Sequence, residues 1–248
     1  MDFGKEIAVR ENKTVYRDGN RTIKVFAENY PKSFIMNEAH NQAIIEDAGI
    51  NVPAILEIKQ IDKKWVVVSE FFEGEPLDKL MKANPDKIDE YLNMFVDLQV
   101  EFHKITSTSL TRLRDRINRQ IKNSELEATT RFDLYTKLGA MPRHHKICHG
   151  DFNPSNVIVG NDGKAYILDW SHATQGNASG DAAMTYLLFR LDGKDEIAEK
   201  YLTLFCEKSD KDINAVKRWI PIVAAAHSYE SKGEAKKFLL KLAENFLK

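Results

Sequence analysis

The chain has 248 residues, of which 43% are apolar and 29% charged, and its formal net charge is −1. That length supports one large domain or two lobes with well-buried cores. The near-neutral balance excludes a global field that would draw in nucleic acid or an anionic membrane. Through residue 73 there are 12 acidic and 10 basic residues, and beyond it 25 and 26, so neither part is a charged tail. Cys148 and Cys206 are too few for a secreted disulfide scaffold and read as free thiols in a reducing compartment. Met1 to Arg10 carries charges along its length and does not read as a signal peptide. No run approaches the roughly 20 apolar residues of a membrane span. A cytoplasmic protein without nucleic-acid or membrane partners is expected, as a monomer or weak dimer.

In chain order, Glu6 to Arg10 and Thr14 to Arg17 read as strands around a turn at Glu11-Asn12-Lys13. A second turn at Asp18-Gly19-Asn20 leads into a strand over Thr22 to Phe26. From Ser33 to Ala48 the period becomes helical, and Gly49 ends it. Strands follow over Ala54 to Ile61 and Trp65 to Phe72. Glu73-Gly74-Glu75-Pro76 then reads as a hinge. Asn84 is expected to cap a helix with Pro85 at its first position, running through Phe102. Further helices are expected over Leu110 to Asn123, over Thr130 to Leu138, and from Ala178 to the chain's end, with breaks near Asp192-Gly193 and Ser209. The class is therefore α+β: a small β-rich lobe with one helix over 1–72, then a larger, mainly helical lobe over 73–248.

One non-helical island, Ile147 to Trp170, interrupts the helical part. Val157-Ile158-Val159 and Tyr166-Ile167-Leu168 flank a turn at Asn161-Asp162-Gly163, which makes a hairpin. Asn156 stands where the first strand begins and Asp169 where the second ends, so the hairpin should set them side by side, with Asp151 on the adjoining loop. A carboxylate and an amide oxygen together suit Mg²⁺, and a nearby carboxylate can take the proton of an attacking hydroxyl. Phosphoryl transfer needs that combination. Taken singly, each of the three residues also fits an ordinary turn or cap.

His149-Gly150-Asp151-Phe152-Asn153-Pro154-Ser155-Asn156, followed by Ile167-Leu168-Asp169-Trp170, resembles the catalytic signature of aminoglycoside phosphotransferases and choline-kinase-like enzymes. It is also similar to the catalytic loop of protein kinases. The resemblance implies a protein-kinase-like fold and a nucleoside triphosphate donor, ATP or GTP, with Mg²⁺. It implies that Asp151 is the catalytic base and that Asn156 and Asp169 hold the metal. Lys24 resembles the lysine that grips the α- and β-phosphates, and Glu38 its ion-pair partner. Glu70 and Phe72 resemble hinge residues that meet the base through main-chain groups. His149 would support the catalytic loop, and Asp181, within Gly180-Asp181, would tie the helical lobe to it. Outside this resemblance, Lys24 and Glu38 read as solvated residues and Asp181 as a helix cap.

The first hairpin departs from the kinase pattern, since Arg10-Glu11-Asn12-Lys13 contains no glycine; Lys13 and Asn12 are candidate phosphate contacts. Only Ser171 to Ser179 separates Asp169-Trp170 from Gly180-Asp181, too short for a peptide-binding activation segment, which implies a small-molecule acceptor and no phosphorylation switch. Candidate acceptor contacts are Trp170, His172, Asn177, Trp219, His227, Tyr229 and Glu230, most of which read equally well as packing residues. An aminoglycoside-like antibiotic, a sugar or an amino alcohol all fit. Choline or ethanolamine would need an aromatic cage, and the charge balance argues mildly against a polycation. The rival readings are a catalytically inert nucleotide-binding scaffold and transfer of a nucleotidyl group. His40, His103 and His144-His145 lack companions at metal-ligand spacing.

Overall fold

A computed structural model describes residues 3–245; residues 1, 2 and 246–248, at the ends of the two expected lobes and of the last expected helix, lie outside them. The elements are, in order, β1 (Lys5–Val9), β2 (Lys13–Asp18), β3 (Arg21–Phe26), α1 (Lys32–Asp47), β4 (Ile55–Ile61), β5 (Lys64–Glu70), β6 (Gly74–Pro76), α2 (Leu77–Ala83), α3 (Ile88–Phe102), α4 (Leu113–Lys122) and α5 (Ala128–Ala140). Then follow β7 (Lys146–Cys148), β8 (Val157–Gly160), β9 (Ala165–Ile167), β10 (Thr174–Gly176), α6 (Ala178–Leu191), α7 (Asp195–Ser209), α8 (Ile213–Lys217), α9 (Ile220–Ser228) and α10 (Gly233–Asn245). The chain packs as two compact units, Met1–Pro85 with Pro154–His172, and Asp86–Asn153 with Ala173–Lys248.

In the first unit, five antiparallel strands stand in the order β1-β2-β3-β5-β4. Alternation along β3 and β5 sorts their side chains onto two faces. Ile23, Val25, Val66 and Val68 form one cluster with Tyr16 and Ile61. Phe26 and Val67 form the other with Ile35 of α1. A second sheet of order β6-β8-β9 contains the expected hairpin. Gly74 of β6 lies against β8 so closely that a Cβ there would stand 2.3 Å from the Val159 carbonyl oxygen.

The bounds of the units differ from the single break expected near residue 73. β6 and α2 belong to the first unit, and so does the hairpin. The cause is the pairing of Gly74–Pro76 with β8, a contact between segments far apart in sequence. Asn84 does not cap the following helix. It closes α2, with its Nδ2 donating to the Leu80 carbonyl at 3.0 Å, while Pro85–Lys87 form a short 3₁₀ turn before α3. The dipeptide Asn-Pro marks a helix boundary, but here the asparagine serves the end of one helix rather than the start of the next.

In the second unit, α3 packs on α7, α9 packs on α4, α6 and α10, and α6 packs on α7. Its core is aromatic. Phe95 is fully buried, stacked on Phe152 with centroids 4.2 Å apart and edge-on to Phe189 and Tyr201. Phe152 lies immediately after Asp151, so this stack anchors the loop that carries the candidate base. β7 and β10, short strands not anticipated from the sequence, pair as Cys148 with Thr174 and Lys146 with Gly176. Both cysteines are free and buried. Phe95→Ala should cost about 3–5 kcal/mol of stability by truncation of a fully packed ring. Urea unfolding measures it, and a loss below about 1 kcal/mol would show that the stack is not a principal support of the unit.

Candidate active site

In the first unit the sheet register decides which side chains meet. Val15 and Val67 both stand opposite Lys24, and Lys13 stands opposite Phe26. Directly opposed residues of antiparallel strands share a face, so Lys13 and Lys24 lie with Phe26 and Val67 on the face that packs against α1. There Glu38 meets both lysines. Lys24 Nζ donates to Glu38 Oε1 at 2.6 Å, and Lys13 Nζ lies 3.3 Å from Oε2. Glu38 is only 9% exposed. Burial pushes its carboxyl up, but Lys24 and Lys13 overcome this and hold it below the usual range. For Lys24, burial pulls the amine down, yet Glu38 and Asp169 raise it above its ordinary value. Both groups are held charged, in a setting where an isolated charge would be strongly disfavoured.

The β8–β9 hairpin places Asp169. Leu168 N donates to the Asn156 carbonyl at 2.8 Å, closing the ladder between the residue before β8 and the one after β9. Asn156 and Asp169 thus flank the open end of the hairpin. Asp169 has φ +58°, a left-handed conformation rare outside glycine, though less so for Asp. Its Oδ1 accepts from Ser171 Oγ at 2.8 Å. Burial raises its carboxyl, but Lys13, then Lys24, the Ser171 bond and His172 outweigh this and drive it well below the carboxylate range. An ionised carboxylate at a hairpin end with an amide residue beside it is a hard-oxygen donor set, and Asp169 and Asn156 fit Mg²⁺ on that chemistry.

The sequence reading missed Asn41. Its buried Nδ2 donates to the carbonyls of Trp170, at 3.3 Å, and Ser171, at 3.2 Å, fastening α1 to the segment that follows Asp169. The available signal was polarity on a buried helix face: Glu38, Asn41 and Gln42 share it with Ile35, Ala39 and Ile45. Gln42 is also committed, donating to the Pro53 carbonyl.

The hinge residues divide. The N–H of Glu70 already donates to the Ala54 carbonyl at 3.0 Å, so only its carbonyl, which accepts from Thr22 Oγ1 at 3.2 Å, remains to meet a base. That narrows the expected main-chain role to one acceptor, because the sheet continues through this residue. The Phe72 ring stacks on Tyr166 with centroids 3.7 Å apart.

In the second unit, Asp151 follows His149-Gly150 at the end of β7. His149 is fully buried, and its Nδ1 accepts from the Asp151 N–H at 3.2 Å. Asn153 Nδ2 donates to Asp151 Oδ1 at 3.2 Å. Gly150 has φ +80°, which a side chain would strain, and its N–H donates to Asp181 Oδ1 at 2.7 Å. Asp181, on the first turn of α6, is nearly fully buried. Its Oδ2 lies 2.9 Å from His103 Nε2 and 3.4 Å from Gln99 Nε2. Burial lowers His103 below its ordinary value despite Asp181, so the ring is neutral at pH 7. It donates from Nε2, and Nδ1 has no partner among the described residues. Asp181 itself is pushed up by burial but brought below its usual value by His103 and the Gly150 N–H.

A model of the phosphotransferase enzyme family matches residues 5–217. The chain belongs to the phosphotransferase enzyme family. Its fold is protein-kinase-like. A thermostable mutant of aminoglycoside phosphotransferase APH(4)-Ia, in ternary complex with ADP and hygromycin B, superposes with a TM-score of 0.71 at 12% identity, over 98% of this chain and 92% of that one. Choline kinase LicA from Streptococcus pneumoniae gives 0.68 at 16% identity over the same shares. Aminoglycoside-3'-phosphotransferase of type VIII gives 0.65 at 15% identity, over 90% and 91%. No curated protein sequence matches the chain. Among the described residues, no helix is long and apolar enough to cross a membrane.

The acceptor candidates of this phosphotransferase separate by position. Trp170 is buried, and its indole N–H donates to the Ile167 carbonyl, so it is a core residue of the first unit. His172 acts on Asp169 electrostatically. Asn177 caps α6 by accepting from the Ser179 N–H at 2.9 Å, and Trp219 is 3% exposed. His227 and Arg116 both feel the charge of Asp151 and of Glu230, and Gln120 Nε2 donates to Glu230 at 3.0 Å. Tyr229 is exposed. Of the seven, His227 and Glu230 therefore group with Asp151, and Arg116 joins them from outside the original set. Thr174 to Gly176, after Asp169-Trp170, is a buried strand paired with β7.

The acid sensitivity of the second unit follows from His103. Its folded pKa lies below its ordinary 6.5, so on acidification the unfolded chain takes up a proton that the folded ring refuses. Stability is then complete above about pH 6.5 and is lost as pH falls from there toward the folded value; Asp181 has the same sign in a lower window, below about 3.8. Melting temperatures between about pH 7.5 and 5.5 should fall in the wild type and fall less in His103→Gln. Equal slopes would exclude His103 as the source.

Proposed function

We propose that this phosphotransferase moves the γ-phosphoryl group of a nucleoside triphosphate, ATP by default, to a hydroxyl of a small soluble acceptor such as a sugar, amino alcohol or aminoglycoside-like compound. The observation that carries this reading is the array Lys13–Glu38–Lys24 beside Asp169: two ammonium groups and two ionised carboxylates held on one face of the first unit. Such an array suits a polyphosphate with its counter-ion and has little use in a surface ion pair.

In this reading Lys24, oriented by Glu38, grips the α- and β-phosphates. Lys13 supplies the second cation that a glycine-rich loop of backbone N–H groups would otherwise replace. Asp169 and Asn156 hold Mg²⁺, which when bound neutralises charge that develops on the phosphate oxygens. Glu70 offers its carbonyl to the base, and Phe72 with Tyr166 offers a stacked aromatic edge. Asp151 orients the acceptor hydroxyl and takes its proton late, as the bond from phosphorus to the leaving oxygen breaks and the bond to the acceptor oxygen forms. His149 and Asp181 fix the loop that presents Asp151. The products are the nucleoside diphosphate and a phosphate monoester of the acceptor. Solved relatives in complex with ADP, AMP-PNP and hygromycin B support a nucleotide donor and a small acceptor.

Thermal shift with ATP or GTP and Mg²⁺ should show a metal-dependent stabilisation that Asp169→Ala abolishes. No shift with either nucleotide would return the weight to an inert scaffold. Asp151→Asn should retain the shift and lose about 10²–10⁴-fold in turnover; full turnover would remove Asp151 from the base role. Lys13→Met should raise the KM for nucleotide about tenfold, the scale of one charge-assisted contact, with kcat changed less. An unchanged KM would make Lys13 a partner of Glu38 only.

A further inference from the structure

The second unit has a cavity of about 500 Å³ that the phosphotransfer reading leaves unused. Small-molecule sites span about 300–1,000 Å³. Trp219, in its wall, and His227, which feels the charge of Asp151, stand at opposite ends of α9, eight residues or about 12 Å of helix apart.

Its lining has one sign of charge. Lys137, His144, Lys211 and Arg218 line it, and no Asp or Glu does. Among the described residues, neither His144, Lys211 nor Arg218 is ion-paired; Arg218 Nε is bonded to the Asn214 carbonyl at 3.2 Å. Neighbouring elements behave otherwise, since Lys208 pairs with Asp97 and Lys236 with Glu125. Burial, with Lys211 and Lys146 nearby, lowers His144 below its ordinary value, so it offers ring nitrogens to the cavity rather than a cation. The start of α6 reaches the same cavity through Asn177 and Ser179, with the N–H groups of Ser179, Gly180 and Asp181 already bonded to Asn177. The remaining wall is apolar, formed by Met141, Pro142 and Trp219 with two alanines. Lys211 and Arg218, without carboxylate partners among the described residues and set beside an apolar wall, suit a ligand with an anionic head and an apolar body.

We propose that this cavity is a binding site for a small organic anion, specifically a phosphate monoester on a ring-sized apolar group. The proposal stands on the cavity and its charge and does not depend on the kinase assignment. The probe is phenyl phosphate, titrated calorimetrically into the whole protein at low salt, with phenol and inorganic phosphate as comparisons. Phenyl phosphate should bind with a dissociation constant below about 1 mM, at least tenfold tighter than either comparison. Lys211→Glu with Arg218→Glu should weaken binding at least about tenfold. Lys211 is half-buried and Arg218 exposed, so an unchanged melting temperature is expected, and the neutral pair Lys211→Gln with Arg218→Gln provides a second test if charge reversal disturbs folding. Asp169→Ala should leave the affinity intact, which separates this cavity from the proposed nucleotide site. Three outcomes overturn the proposal: no binding of phenyl phosphate, binding indifferent to both variant pairs, or binding lost in Asp169→Ala. Phenol or inorganic phosphate binding as tightly as phenyl phosphate would also overturn the assigned ligand class.

Discussion

The first unit depends on one buried carboxylate. Glu38 is nearly inaccessible to solvent, yet ionised, and it is so only because Lys24 and Lys13 reach it from adjacent strands. Placing a carboxylate in that position costs several kcal/mol of desolvation, which must be offset by the lysines, and each lysine in turn needs Glu38. The arrangement therefore locks α1 to the sheet in one register. It also extends beyond the pair, because Asn41, one turn further along α1, holds the backbone after Asp169. A single helix thus orients the two lysines with one residue and the aspartate segment with another.

The second unit is organised around a different buried carboxylate. Asp181 receives the Gly150 N–H and the His103 ring, and through Gln99 it adjoins Tyr201 and Thr185. Gly150 must adopt a left-handed conformation to present its N–H, and the aromatic stack of Phe152 on Phe95 holds the other side of the same loop. Asp151 lies between these two restraints. Its backbone is thus fixed by partners on both sides of the loop, while Asn153 Nδ2 donates to its carboxylate.

The two regions of the second unit differ in the charge they offer. Around Asp151, carboxylate and guanidinium occur together, with Glu230 near Arg116 and Gln120. The cavity wall carries Lys211 and Arg218 and no acidic side chain. The contrast runs along α9, whose two ends face different electrostatic environments.

The sequence by itself determined the local elements and the reaction class. Strand alternation, the helical period of α1, and the turn at Asn161-Asp162-Gly163 are short-range properties, and the His149-to-Asn156 motif with Asp169 carries its chemistry in residue type and spacing. Tertiary structure alone decided three matters. It decided that Gly74–Pro76 is a strand, since its partner β8 is distant in sequence. It decided that Lys13 shares a face with Lys24, because cross-strand register cannot be read from one strand. And it decided that Asn41 and His103 are buried polar partners, because burial belongs to the packed chain and not to the residue. Local periodicity fixes what each segment can be, whereas the free energy of a buried charge or an unpaired strand is set by what the fold brings against it.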